Sequence, residues 1–274
     1  MKQSIQHVLK RAGLYQRFRA SSVYDLYWTF ADRSIVEDRR LEADFYRSLL
    51  TGFRPGDLIF DVGANQGSKT STFLRLGARV VAVDPDEANQ QILKEMFLQY
   101  RLSPRPVVIV GKALSDKNSV ETMFFDEPGS AKNTLSKKWV ETLRTDQERF
   151  GHSLDFREKK DVETTTLDAL MNEYGVPYFV KIDVEGYEPT VLQGLQRPVP
   201  FLSFEVNLPE FRPEGVQCIE RLEKVAPDGK FNYAVDCRKG LVNREWTDAK
   251  EFLSVFQQCN EPSIEVFWKT SAKA

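Results

Sequence analysis

The chain has 274 residues, a formal net charge of −2 and the apolar and aromatic content of a soluble globular protein, enough for one large domain or two small ones. That charge, with no basic stripe of interleaved aromatics, gives no case for nucleic acid as a partner. Two histidines exclude a histidine-rich metal site but not a carboxylate one, and no run approaches the ~20 apolar residues of a membrane span.

Residues 1–54 read as a helical extension. Ile5, Val8, Leu9 and Ala12 share one face, as do Tyr24, Tyr27 and Trp28, and then Leu41, Phe45, Leu49 and Leu50. Lys2, Lys10, Arg11, Arg17 and Arg19 precede the first acid, Asp25. They fit a solvated helix face first and a peripheral membrane contact second. No apolar run precedes a small-residue cleavage site, and Cys218, Cys237 and Cys259 show no CxxC spacing. The expected setting is therefore cytoplasmic, with the inner face of a membrane as the variant that the basic N-terminus allows.

From residue 55 to 274 the pattern is that of one α/β domain. Leu58 to Val62 is a short apolar run ending in glycines, suited to a strand covered on both faces. A helix from Ser68 to Leu76 stops at Gly77, and Arg79 to Asp84 is a second strand. Ile92, Leu93, Met96 and Phe97 stripe the next helix, and Val107 to Val110 is a third strand. This βαβαβ order implies a parallel sheet with right-handed crossovers. Residues 117 to about 160 break the rhythm, with a strand and hairpin around Val120 to Gly129 and then polar sequence. This reads as an insertion at the mouth of a site, a candidate lid. Thr166 caps a helix through Tyr174. Tyr178 to Asp183 and Phe201 to Val206 are further strands, separated by a helix from Glu188 to Leu195 with Pro189 in its first turn. Phe231 to Val235 and Ile264 to Trp268 supply a closing antiparallel pair.

The strongest chemical signal is Asp61-Val62-Gly63-Ala64-Asn65-Gln66-Gly67, which joins a strand end to a helix start. Glycines there permit a tight turn, and the helix N-terminus offers free N–H groups to an anion. The pattern GxNxG after Asp61 departs from the GxGxxG of dinucleotide sites and favours an amino-acid-bearing nucleotide. Asp84 ends the second strand, where an acid about 20 residues beyond such glycines accepts from both ribose hydroxyls. Ser115 and Asp116 follow the third strand on the same sheet edge, in reach of a base. The fourth strand ends Lys181-Ile182-Asp183-Val184-Glu185-Gly186, and Glu205 ends the fifth. A lysine inside an apolar strand needs an acid partner, and charges clustered at a strand edge mark a functional site.

Together these motifs resemble the FkbM-type family of S-adenosylmethionine-dependent methyltransferases. The matching pieces also include Val83-Asp84-Pro85, Ala113-Leu114-Ser115-Asp116 and Thr165-Thr166-Leu167-Asp168. The resemblance covers roughly residues 55 to 207, and the order of the pieces is its most specific feature. It implies a Rossmann-like, mostly parallel seven-stranded sheet with helices on both faces. It also implies methyl transfer from S-adenosylmethionine, usually to a hydroxyl of a sugar or natural product, as in surface polysaccharide or lipid-linked sugar synthesis. By the family's motif, Asp61, Gly63, Asn65 and Gly67 line the methionine end of the cofactor and Asp84 holds the ribose. Ser115 and Asp116 lie near adenine, and Lys181, Asp183 and Glu185 face the reacting centre. Asp84 stands where the family commonly has glutamate, which shortens the reach to the same chemistry. The first fifty residues and the C-terminal tail match no motif.

A hydroxyl acceptor needs alignment and late removal of its proton. Asp183 is the first choice as base, with Glu185 and Glu205 as reserves and Lys181 as the orienting cation. His152, in the insertion, is a further base if a lid closes. A divalent metal on Asp183, Glu185 and Glu205 is the less favoured route, and no metal site is assigned. Two rival readings remain: a nicotinamide-dependent oxidoreductase lacking its glycine motif, and a non-catalytic cofactor-binding or membrane scaffold protein.

Overall fold

The computed structural model describes residues 33–98, 107–145, 154 and 156–274. The two apolar faces before residue 32, the basic N-terminal residues and His152 lie outside the described residues.

Seven strands form one sheet. They are β1 (Leu58–Val62), β2 (Arg79–Val83), β3 (Val107–Val110), β7 (Phe179–Ile182), β8 (Phe201–Asn207), β9 (Lys230–Ala234) and β10 (Ser263–Lys269). Their order is β3-β2-β1-β7-β8-β10-β9. Neighbours pair in parallel from β3 to β8, and β10 runs antiparallel to both β8 and β9. The closing antiparallel pair is thus as the sequence predicts, with β10 inserted between β8 and β9. Strand order reverses between β1 and β7, and open α/β sheets bind ligands at such a switch point. There Asp61 is level with Lys181, and Val62 with Ile182.

Every residue of β1 is buried because helices cover both faces. Alternation sends Phe60 and Val62 to one core, with α5 (Leu167–Tyr174), α6 (Glu188–Gln193), α7 (Arg212–Val225) and α8 (Ala249–Gln258). Ile59 goes to the other, with α1 (Arg33–Leu49), α2 (Ser68–Arg75) and α3 (Glu87–Met96). Part of the helical segment before residue 54 therefore covers the sheet directly. Tyr46 of α1 meets Phe73 edge-on at 5.1 Å between ring centroids, and Phe45 meets Phe267 at 5.5 Å. Leu41, assigned to the same apolar face from the sequence, is exposed. Thr166 caps α5 as predicted, accepting from the Ala169 N–H at 3.0 Å.

The insertion is more ordered than its sequence suggests. β4 (Ala113–Leu114), β5 (Val120–Phe125) and β6 (Glu158–Thr165) make a second sheet, and α4 (Lys137–Thr145) buries Trp139, Val140 and Leu143. β5 finds its antiparallel partner in β6, more than thirty residues on, with Val120 opposite Glu163. The Glu127-Pro128-Gly129 turn closes only a single bridge, Phe124 to Thr134. Exposed charges along β6 hide it from an apolar-alternation reading.

Candidate active site

Two cavities meet at the carboxyl end of the sheet. The first, about 680 Å³, lies over the ends of β1 and β2 and is lined by Gly63, Asn65, Asp84, Leu114, Asn133 and Tyr187 among others. Its floor is made by backbone. Gly63, Asn65 and Gly67 all have positive φ, at 76°, 47° and 79°. A Cβ on Gly63 would stand 1.7 Å from the Asp183 carbonyl oxygen, and one on Gly67 2.6 Å from the Phe97 ring. Both glycines are needed for packing of the chain on itself, so the turn exists before any ligand arrives.

Asp84 is buried at the rim of this cleft. One carboxylate oxygen accepts from the Asn65 N–H at 2.7 Å and the other from the Asp86 N–H at 2.9 Å. Asn89 Nδ2 approaches both, at 3.3 and 3.4 Å. Burial pushes the Asp84 carboxyl up to about 6, although these three donors oppose it. Asp86 reaches across to the insertion, accepting from the Gly129 N–H at 2.6 Å and Asn133 Nδ2 at 2.9 Å. Thr134 donates to the Glu185 carbonyl at 2.8 Å. Those bonds make residues 129–135 a wall of the cleft, the position expected of a lid. The buried side-chain oxygens of Asn65 and Asn89 have no hydrogen-bond partner among the described residues.

Not every predicted cofactor residue faces this space. Asp61 lies beneath the turn, fully buried, and accepts from Thr70 of α2 at 2.5 Å. Burial raises its carboxyl above the usual range. Ser115 is buried and donates to Glu121 at 2.6 Å, which also accepts from the Tyr187 hydroxyl at 2.5 Å. Asp116 is exposed. The lining at this point comes instead from Lys112, Ala113 and Leu114.

The second cavity, about 810 Å³, opens between α1, α2 and the β7, β8 and β10 ends. It brings Lys181, Asp183 and Glu205 together, as predicted, and adds Glu42, Lys69 and Glu265. Lys181 Nζ donates to Asp183 Oδ2 at 2.8 Å. Burial works against the Lys181 charge, but Asp183, Glu265 and Glu205 outweigh it and hold the ammonium above its ordinary range. Burial likewise disfavours the Asp183 carboxylate, yet the Lys181 ammonium beside it keeps its pKa below the usual value. Glu205 accepts from Ser263 Oγ at 2.7 Å, and burial with the nearby Asp183 charge lifts it to about 7. Asp183 borders both cavities.

Glu185 departs from this group. With φ at 54°, the chain turns after Asp183, and Glu185 lines the first cleft and not the second. Burial, then the charges of Asp183 and Glu205, raise its carboxyl well above the usual range. The preceding turn is held by Glu188, which accepts from the Val184 N–H at 3.0 Å. Among the described residues no three His, Cys, Asp or Glu side chains converge as a metal-holding group.

Glu265 could have been found from sequence, since an acid inside the apolar run Ile264 to Trp268 obeys the same pairing argument as Lys181. Glu42, Lys69 and Arg238 carry no local signal; only the fold brings α1, α2 and the loop after β9 to one place.

Comparison with known proteins completes the picture. Residues 61–259 match the family model of the methyltransferase FkbM domain. Hexuronic acid methyltransferase AglP of Haloferax volcanii is 26% identical over 197 residues, 71% of this chain and 70% of that protein. The crystal structure of methyltransferase FkbM from Methylobacillus flagellatus KT aligns with 81% of this chain at a TM-score of 0.50 and 15% identity. The chain spans 46% of that structure's length, and at such identity the likeness shows the fold alone. The family match runs from the end of β1 to beyond α8 and takes in the whole lining of the first cavity; of the second, Glu42, Ser263, Ile264 and Glu265 lie outside it. The chain belongs to the FkbM family of S-adenosylmethionine-dependent methyltransferases.

Proposed function

We propose that the chain methylates a hydroxyl oxygen of a sugar, free or within a glycan, with the cofactor in the first cleft and the acceptor in the second cavity. The observation that carries this reading is the place of Asp183, the residue on the boundary between the two. The archaeal relative, a hexuronic acid methyltransferase by name, supports a sugar acceptor. The family match gives neither rival, oxidoreductase or scaffold, any support.

The first cleft fits the cofactor. Asp84 keeps spare lone pairs for ribose hydroxyls, and two buried asparagine oxygens lack donors that a polar ligand would bring. Gly63 and Asn65 shape the floor, and Asp61 and Gly67 hold that shape from behind. Ser115 acts indirectly through Glu121, and Asp116 has no role in this reading. Bound there, the cofactor supplies an electrophilic methyl group on a sulfonium.

The protein's work is then alignment and proton removal. Good orientation contributes up to ~7–11 kcal/mol, and a positioned base ~10²–10⁴-fold. Asp183 stays ionised at neutral pH and accepts the hydroxyl proton. Lys181 fixes its carboxylate through the 2.8 Å bond and balances its charge. Glu205, poised at about 7, takes a proton onward from Asp183. Glu185 belongs to the cofactor side.

Asp183→Asn tests the assignment. S-adenosylhomocysteine affinity by calorimetry should stay within a few-fold, while kcat for transfer of a radiolabelled methyl group falls ~10²–10⁴-fold. A kcat within a few-fold of the wild-type value would refute it.

A further inference from the structure

We infer that the acceptor is a polyhydroxyl sugar without a carboxylate, unlike the hexuronic acid of the archaeal relative's name. The inference rests on the second cavity being the acceptor site. Three cations border that cavity, and each already has its counter-charge. Lys69 is paired with Glu42. Lys181 is paired with Asp183 at 2.8 Å and is almost fully buried. Arg238 forks onto Asp236 through two bonds of 2.9 Å and meets Asp38 at 2.7 Å. Among the described residues, no cation of this wall is left over for an acceptor carboxylate.

The surplus is negative. Glu205 and Glu265 border the same space, and the donors they hold are neutral. Glu205 accepts from Ser263, and Glu265 from Ser203 at 2.6 Å, from Cys237 at 3.2 Å and from Tyr46 at 3.5 Å. Carboxylates with spare lone pairs in a half-closed cavity recognise hydroxyl donors, through charge-assisted hydrogen bonds. A uronate at the same ring position would bring a like charge against them, and repulsion of the wrong partner is an ordinary source of specificity. Arg238 already commits three of its five N–H donors to Asp236 and Asp38, and those two acids balance its charge. Burial first, and then the Asp183 charge, lift Glu205 to about 7 against the opposing pull of Lys181.

The full chain, with radiolabelled S-adenosylmethionine, would be offered phenyl β-glucoside, phenyl β-glucuronide and envelope glycan from the encoding cells. After hydrolysis, anion exchange retains uronic acids and passes neutral and amino sugars. The expected result is label in the passed fraction, at least ~10-fold above the retained one. Label chiefly in uronic acid overturns the inference but leaves sugar methylation standing. Label in no sugar, with S-adenosylhomocysteine binding intact, overturns the assignment of the cavity itself. Glu265→Gln keeps the side chain's shape and removes one charge. It should raise KM for the labelled non-uronate acceptor several-fold and narrow its preference over the matching uronate; an unchanged preference speaks against charge as the selector.

Discussion

Gly63, Asn65 and Gly67 shape the first cleft through main-chain turns, and Asp84 is held there by two main-chain N–H groups and Asn89. The second cavity is assembled differently. Glu42, Lys69, Lys181, Glu205, Arg238 and Glu265 arrive as side chains from six separate places in the chain. A cleft made by backbone tolerates much sequence change while still admitting one invariant cofactor. A cavity made by charged side chains changes its preference with each substitution. The two meet at the end of β7, where the Gly63 turn touches the Asp183 carbonyl.

That contact gives the largest expected effect. Gly63→Ala places a methyl group 1.7 Å from the Asp183 carbonyl oxygen and holds alanine at a φ of 76°. Overpacking and backbone strain together should cost ~3 kcal/mol or more in denaturant unfolding. If the two regions are mechanically joined, cofactor binding and transfer fail together. A variant of wild-type stability would show the turn and β7 to be independent. A smaller effect belongs to the cleft alone. Asp84→Asn removes a charged acceptor, and S-adenosylhomocysteine affinity should fall ~10–100-fold in calorimetry. An acceptor KM that rises equally would blur the division between the regions.

The comparison also explains what the sequence discloses. β1, β2, β3, β7 and β8 are short apolar runs ending in small or charged residues, so their local composition carries both the sheet and the cleft. The Asp183 and Glu205 grouping is legible because strand ends of a parallel sheet share one edge. Glu185 is not, because its placement turns on a positive φ that no side-chain pattern announces. Ser115 and Asp116 show the limit of motif position: adjacent in sequence, one is buried against Glu121 and the other faces solvent. β6 and α4 are hidden since their stability depends on partners distant in the chain.

The last effect is in pH, and for each single group it is the smallest; its response to ligand separates the two regions. Asp84 at about 6, and Glu188 and Glu205 at about 7, all have folded-state values above those of the unfolded chain, each mainly through burial. A raised acid favours the fold when protonated, so this contribution is complete below pH ~4 and is lost as pH rises through 6 and 7. Asp183 has the opposite sign, being held low by Lys181, but its contribution disappears only below its ordinary value of 3.8. Lys181 is raised above 10.5 and loses its contribution only on the alkaline side. Asp61 and Glu185, also raised mainly by burial, act in the same direction, so between pH 8 and 5 the ligand-free protein should become more resistant to urea on acidification, by on the order of 1 kcal/mol or more for each of Asp84, Glu188 and Glu205. Saturating S-adenosylhomocysteine should flatten the part due to Asp84, because ribose hydroxyls donating to its carboxylate favour the ionised form. The part due to Glu205, in the other cavity, should persist and vanish in Glu205→Gln. Stability that falls from pH 8 to 5 would invert the electrostatic reading of both regions. A ligand that flattened the Glu205 share would show the two cavities titrating as one.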